Sequence, residues 1–139
     1  MSYNTPKQIV EIVSDVAKTK AATSTSKTLI LAFLAGAYIA IGGLLAVIIG
    51  GGIPGIAAEN PGIQKFLMGA AFPIGLMLCT IAGADLFTGN TAYFIPPVMN
   101  RKLAVSDMLR NWSLVYIGNF AGALFVAYFM VTLTGVFAK

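Results

Sequence analysis

The residues best suited to chemistry lie in one short segment, GADLFTGN, from Gly83 to Asn90. Asp85 is ionisable in an otherwise apolar stretch, and Thr88 offers a small hydroxyl that both donates and accepts hydrogen bonds. Asp85 either carries a proton as a solute passes, or is structural, accepting hydrogen bonds from free backbone N–H groups or pairing with a cation elsewhere in the assembly. We favour the structural role, because the flanking Gly83 and Gly89 free backbone donors that a carboxylate can cap.

The composition excludes several kinds of active site. The chain has 139 residues, 58% of them hydrophobic and 10% charged, with no His, one Cys and five Asp or Glu. It therefore lacks a Ser–His–Asp triad, a His and Cys metal cluster and an intrachain disulfide. We expect no catalytic residues, no metal, no cofactor and no nucleic-acid partner. A membrane enzyme would need a nucleophile with its base, or a set of metal ligands, and the sequence offers neither.

The shortage of charge indicates a membrane protein, since soluble domains are roughly a quarter charged. Uncharged runs predict spans at residues 28–49 and 112–137, the first roughly 33 Å long as a helix, against a bilayer core of about 30 Å. A signal peptide is the alternative for the first run, but its apolar region is typically about 7 to 15 residues. Residues 66–99 would form a straight helix roughly 50 Å long, so this span must break.

The predicted break covers residues 83–90, and Pro96 and Pro97 are expected to end the second piece. Irregular backbone within the lipid layer is tolerated only where protein buries it or where it lines a polar cavity, because lipid cannot satisfy its N–H and C=O groups. The break therefore indicates a pathway. Phe72 and Leu76 share a helical stripe before it. Such a stripe is usually core packing, but it would narrow the pathway if the break faces that side.

The distribution of Lys and Arg predicts the orientation. Of nine, seven precede the first span or lie between the second and third, while Lys65 and Lys139 fall on the other side. The positive-inside rule then predicts a multi-pass protein of the cell membrane with a cytoplasmic N-terminus. The seven are Lys7, Lys18, Lys20, Lys27, Arg101, Lys102 and Arg110.

The chain is predicted to divide into a cytoplasmic amphipathic helix with its linker, residues 1–27, and a three-span unit, residues 28–139. Thr5 as the cap, Pro6 at the first helical position and Gln8 at the capping-box position indicate where the helix begins. Its apolar side chains share one face, which lies either on the membrane surface or against the protein. They are Ile9, Ile12, Val13 and Val16.

Small residues are expected to hold the spans together, because lipid tails are as apolar as Leu and association depends on close packing. Gly36 in the first span and Gly118 and Gly122 in the third indicate such seams. Asn111 and Asn119 are polar residues at or within the third span, and we expect them to satisfy backbone groups of neighbouring elements.

Two motifs resemble a known family. AGADLFTGN, residues 82–90, and RNWSLVYIGNFAGAL, residues 110–124, resemble the signature of the formate/nitrite transporter family of anion channels, and the resemblance runs through the whole chain. It implies an all-α membrane fold of three transmembrane helices, the second broken by a loop, preceded by a cytoplasmic amphipathic helix. Such a unit is one repeat of an aquaporin-like six-helix channel with inverted repeats. The resemblance also implies a homopentamer in which each complete protomer has its own pore.

The resemblance implies a set of pathway residues. Thr88 corresponds to the pore threonine of the interrupting loop, and Leu86 and Phe87 correspond to apolar constriction residues beside it. Phe72 and Leu76 match the other constriction positions on the preceding half-helix.

The resemblance also implies lysines that attract anions and residues that maintain the structure of the loop. Lys20, or the nearby Lys27, resembles a lysine that draws anions toward the pore, and the structure of the loop would rest on Gly83, Asp85, Gly89 and Asn90. The family's proton-donating histidine belongs to the second repeat and has no counterpart in this sequence. We therefore interpret the chain as a fragment, or as a split protein whose second three-span half is separate.

The resemblance implies a channel or transporter, not an enzyme. Its substrate would be a small monovalent anion, with formate the first candidate and nitrite or hydrosulfide the alternatives. Lysines would raise the local anion concentration, and apolar constrictions would penalise the bare ion. A proton supplied by the second half would let the neutral acid cross. The alternative is a non-transporting three-span subunit in which the break packs against a partner protein and Asp85 pairs across that interface.

Overall fold

The computed structural model describes residues 3–137, and this part of the chain is helical, without strands. Three helical stretches are long and apolar enough to cross a membrane: Thr25–Gly51, Pro61–Ala82 and Val105–Thr132. This confirms the predicted all-α membrane fold. The helices are α1 Pro6–Ala22, α2 Thr25–Gly51, α3 Pro54–Glu59, α4 Pro61–Ala71, α5 Ile74–Ala82, α6 Phe87–Met99 and α7 Val105–Val126, which continues as a π-helical segment, Ala127–Thr132. Lys139, counted above for the orientation, lies outside the described residues.

Helix α1 begins as predicted. The Thr5 hydroxyl accepts from the backbone N–H of Gln8 at 3.3 Å, and the Gln8 side chain accepts from the backbone N–H of Thr5 at 2.7 Å. Two otherwise unpaired donors at the helix start are thereby satisfied. The capping box predicted from the sequence is confirmed.

Helices α2 and α7 form the main packing seam. A Cβ at Gly36 would overlap the backbone carbonyl of Asn119, and a Cβ at Gly122 would overlap the carbonyl of Phe33. The two backbones therefore touch, which glycine allows and a larger residue would prevent. The predicted small-residue seam is confirmed, and Gly118 lies in it against Ala32.

The break in the second span is shorter than predicted. Helix α5 ends at Ala82, Gly83 adopts a left-handed conformation with φ +62°, and α6 begins at Phe87. The non-helical segment is thus residues 83–86, and the prediction that it extends to residue 90 is wrong. The reason is that the first backbone N–H of α6, that of Phe87, is bonded by Asn119 at 2.9 Å, which caps the helix early.

The prediction that the two prolines end α6 is wrong. Pro96 and Pro97 lie within its last turn, and the helix reaches Met99. The turn closes because the Pro96 carbonyl still accepts from the N–H of Asn100 at 3.0 Å, so the missing proline donors do not unwind it. Arg101, with φ 55°, then turns the chain toward α7.

Candidate functional site

The non-helical segment 83–86 is held on both sides by hydrogen bonds to the other spans. The backbone N–H of Asp85 donates to the carbonyl of Leu31 in α2 at 3.1 Å. The Asn119 side chain in α7 accepts from Phe87 and donates to the carbonyls of Ala32 at 2.8 Å and Asp85 at 2.9 Å. One amide thus fixes three backbone groups, which confirms the expectation that Asn119 satisfies neighbouring backbone.

Asp85 is buried, 3% exposed, and lies at the centre of a polar cluster. Its Oδ1 accepts from the ammonium of Lys20 and from the Asn90 amide, the latter at 3.3 Å. The same Asn90 amide donates to the Asn111 side chain at 2.8 Å. We call Lys20, Asp85, Asn90 and Asn111 the buried polar cluster. It joins α1, the break, α6 and α7 in one network.

This geometry distinguishes the two structural roles predicted for Asp85. Its carboxylate pairs with a cation, and among the described residues that cation is Lys20. It does not cap the neighbouring backbone, since the N–H of Asp85 donates to the Leu31 carbonyl and that of Phe87, at the start of α6, donates to Asn119. The physical reason is that a buried carboxylate gains more from a charged partner than from a neutral N–H. The prediction that Asn111 satisfies neighbouring backbone is also wrong, because its side chain accepts from the Asn90 side chain.

A cavity of about 270 Å³ lies beside the buried polar cluster. It brings together two predicted constriction residues, Leu76 and Leu86, with Lys20 and with Asn90, whose Oδ1 is buried without a hydrogen-bond partner among the described residues. Its walls therefore combine apolar and polar side chains. The lining residues are Lys20, Leu76, Cys79, Thr80, Gly83, Ala84, Leu86, Gly89, Asn90 and Tyr93.

The other predicted pathway residues lie elsewhere. Leu86, Phe87 and Thr88 line a second cavity, about 280 Å³, between α6, α2 and α7. The Phe87 ring packs edge-on against Tyr116, with 5.4 Å between centroids. Phe72 lines neither cavity and is 45% exposed at the junction of α4 and α5. Within the described residues, the five predicted constriction and pore positions therefore do not share one cavity.

The predicted attracting lysines differ in their surroundings. The Lys20 ammonium is bonded to Asp85 and lies over the Tyr93 ring, 5.8 Å from its centroid. Lys27 is exposed in the first turn of α2 and has no carboxylate within salt-bridge distance in residues 3–137. Lys20 is thus part of the structure of the break, while the charge of Lys27 is open to solution.

The remaining electrostatics are modest. A hydrogen bond of 2.8 Å from Lys18 lowers the pKa of the exposed Asp15 carboxyl, so this pair is intact at neutral pH and is lost only as the pH falls through that lowered pKa. Over the described range, no three His, Cys, Asp or Glu side chains lie close enough to hold a metal ion.

Sequence reasoning missed the partners that connect the site. Tyr93 lines the first cavity beside Lys20, and nothing in the local sequence distinguishes it from a packing aromatic. Trp112 donates its indole N–H to the Asn90 carbonyl at 3.2 Å, although its position at a span end suggested no such bond. The signal in the sequence that these contacts exist was the pair Asn111 and Asn119 in an apolar helix, since polar side chains inside membranes need a partner.

Known proteins resemble this chain along nearly all of it. The model of the family described as formate/nitrite transporter matches residues 7–139. A probable formate transporter of Methanothermobacter thermautotrophicus is 41% identical over 97% of this chain and 49% of its own length. The uncharacterized transporter YrhG of Bacillus subtilis is 39% identical over 98% of this chain and 50% of its own. The formate channel BtFdhC of Bacillus thuringiensis is 38% identical over 92% of this chain and 48% of its own length. The chain thus spans about half the length of these relatives.

Proposed function

The chain belongs to the formate/nitrite transporter family, and from that premise we propose that it forms one half of a transmembrane pathway for a small monovalent anion, with formate as the first candidate. The observation that carries this proposal is the break between α5 and α6, fixed by Asn119 and flanked by a cavity with Leu76, Leu86 and Lys20 on its walls. Formate is favoured because two of the relatives above bear its name. Nitrite and hydrosulfide are the alternative substrates.

The proposal puts the N-terminus of this multi-pass protein on the cytoplasmic side of the cell membrane. Lys7, Lys18 and Lys27 precede or begin the first span, and Arg101 and Lys102 lie between α6 and α7. This side then attracts anions over long range, as focused surface charge does. Lys27 serves this purpose best, because the charge of Lys20 is balanced by Asp85.

The passage itself is selective against bare ions. An unpaired charge in a dry, apolar gap is costly, so apolar constrictions, at Phe72 and Leu76 before the break and at Leu86 and Phe87 beside it, would favour a neutral species. A proton from the second half of the protein converts formate to formic acid, which crosses and releases that proton on the far side. Thr88, which lines the second cavity, offers its hydroxyl to the solute as donor or acceptor.

Completion of the pathway needs further protein. The chain covers about half of each relative described above, so a second three-span half with inverted topology would close the pore. Five complete protomers would then form the homopentamer. In this assembly the pore loop would rest on Gly83 and Asp85 in the break and on Gly89 and Asn90 in the first turn of α6.

The alternative, a non-transporting three-span subunit, is favoured by one observation. Phe72 and Thr88 do not share a cavity with Leu76 in the described chain, as they would on a surface that packs against a partner protein. However, this alternative also had Asp85 pair across an interface with a partner protein, and Asp85 already pairs with Lys20 of its own chain.

The test is formate flux into proteoliposomes that carry the protein expressed from its complete reading frame. Thr88→Val and Phe72→Ala should both change formate permeation. The matched controls are Thr91→Val, one turn further along α6, and Phe66→Ala, on exposed α4, which should leave it near the wild-type value. If Thr88→Val and Phe72→Ala both leave permeation unchanged, these residues do not line the route.

A further inference from the structure

Helix α1 docks on the rest of the protein through small residues and leaves its large apolar side chains uncovered. Ser14 and Ala17 are buried, at 3% and 0% exposure, where α1 meets α6 and α7. Ile9 and Ile12 are each 50% exposed and Val16 is 37% exposed. We call Ile9, Ile12 and Val16 the apolar stripe. Three of the four residues of the predicted apolar face therefore lie off the face that packs on the protein, while the fourth, Val13, is half-buried.

The three faces of α1 point in different directions. At about 100° per residue, Ile9, Ile12 and Val16 fall within one sector about 60° wide. The docked face is centred about a third of a turn or more away from it, and Glu11 lies on the remaining side. A helix at a membrane surface beside its own protein has these three environments: protein, lipid and water.

The C-terminal end of α1 is held close to the spans. The Arg110 guanidinium donates to the carbonyls of Ala21 and Thr23, both at 3.4 Å, and to the Thr25 hydroxyl at 2.8 Å. The Lys20 ammonium reaches Asp85 within the broken second span. Because α2 begins at Thr25, three residues after α1 ends, the C-terminal end of α1 stays at the level at which the first span begins.

The surrounding charge is suited to anionic headgroups. Within residues 3–137, four cations on the same side have neither a carboxylate within salt-bridge distance nor a side-chain hydrogen bond, unlike Arg110, which is bonded to Ala21, Thr23 and Thr25. Basic groups beside a membrane helix are attracted to anionic lipid surfaces. The four are Lys7, Lys27, Arg101 and Lys102.

We propose that the apolar stripe of α1 lies in the headgroup layer of a bilayer that contains anionic lipid, which anchors the helix beside the break. A lipid surface fits better than a protein partner, because a stable protein interface buries about 800 Å² on each partner, far more than three partly exposed side chains supply. This proposal concerns the surface of the protein and remains valid whichever solute crosses it.

The test is site-directed spin labelling of the protein from its complete reading frame, in a Cys79→Ser background, in nanodiscs containing phosphatidylglycerol. Labels at Ile12→Cys and Val16→Cys should collide with oxygen severalfold more often, relative to a water-soluble nickel chelate, than a label at the control Glu11→Cys. In phosphatidylcholine nanodiscs this ratio should fall at both positions.

Three results would overturn the proposal. Nickel accessibility at both stripe positions equal to that at Glu11→Cys would place the stripe in water. Low collision rates with both reagents would mean that a second copy or another part of the protein covers it. An unchanged ratio in phosphatidylcholine would remove the role of anionic lipid. Two stripe positions keep the test valid if one variant fails to fold.

Discussion

Removal of the Asn119 side chain should unfasten the broken span. In Asn119→Ala the backbone N–H of Phe87 loses its acceptor, and the carbonyls of Ala32 and Asp85 lose their donor. These groups lie inside the membrane-spanning unit, where lipid offers no replacement partner. The change therefore affects the element that positions Leu86 and Phe87.

The magnitude follows from counting the unpaired groups. Interhelical hydrogen bonds in membrane proteins average about 0.6 kcal/mol, whereas a buried group left unsatisfied costs about 1–3 kcal/mol. For the three lost bonds the lower scale gives about 2 kcal/mol, and the Phe87 N–H, left without an acceptor, raises this, whereas the Ala32 carbonyl keeps its bond within α2. We expect Asn119→Ala to lower the free energy of unfolding by about 2–4 kcal/mol.

The assay is reversible unfolding in mixed micelles, followed by helical circular dichroism, together with formate flux. Asn119→Asp is an informative intermediate, because it keeps an acceptor for Phe87 and loses both donated bonds. The matched control is Asn100→Ala, at the exposed end of α6, which should change neither stability nor flux. A loss of stability within error of this control, with normal flux, would refute the claim that Asn119 holds the break.

Three further predictions concern the surrounding structure. Asp85→Asn should lower the free energy of unfolding by about 3 kcal/mol, because it leaves the Lys20 ammonium unpaired. A double-mutant cycle with Lys20→Met should show strong coupling between the two side chains. The exposed Asp15–Lys18 pair is the control, and equal coupling energies in both pairs would contradict this prediction. Tyr93→Leu should change the half-saturating formate concentration about two- to fivefold, whereas Tyr93→Phe should leave it unchanged, because the ring and not the hydroxyl contacts Lys20. Equal effects of the two variants would exclude the contact between the ring and Lys20 as the cause. Gly36→Ala should destabilise the α2–α7 seam by about 1–3 kcal/mol, whereas Gly69→Ala, with open space around it, should be neutral or stabilising, as unfolding would report.

The position of the break could be predicted from sequence, but its length could not. Gly83 and Asp85 mark backbone that does not suit a helix in lipid, and α5 does end beside them. The early start of α6 depends on Asn119, which lies far along the chain, and a local pattern carries no information about such a cap. For the same reason the prolines were misleading, because their effect depends on which carbonyls remain bonded.

The site was predictable by residue type more than by contact. A lone carboxylate in an apolar stretch requires a partner, so a polar cluster around Asp85 could be expected. Which cation it would be could not, since Lys20 belongs to another helix and is one of seven basic residues on that side. Of the two lysines predicted to attract anions, Lys20 is bonded to Asp85 in the break, while Lys27 keeps its charge exposed.

Labelling of a single cysteine decides whether the start of α6 lines a water-accessible pathway. Thr88→Cys in a Cys79→Ser background is treated with a small polar thiol reagent in proteoliposomes, with the fully buried Val115→Cys as the matched unreactive control. We expect Thr88→Cys to be labelled, formate to slow the labelling, and the labelled protein to pass no formate. A folded Thr88→Cys protein that resists labelling as fully as Val115→Cys would mean that Thr88 does not face the pathway.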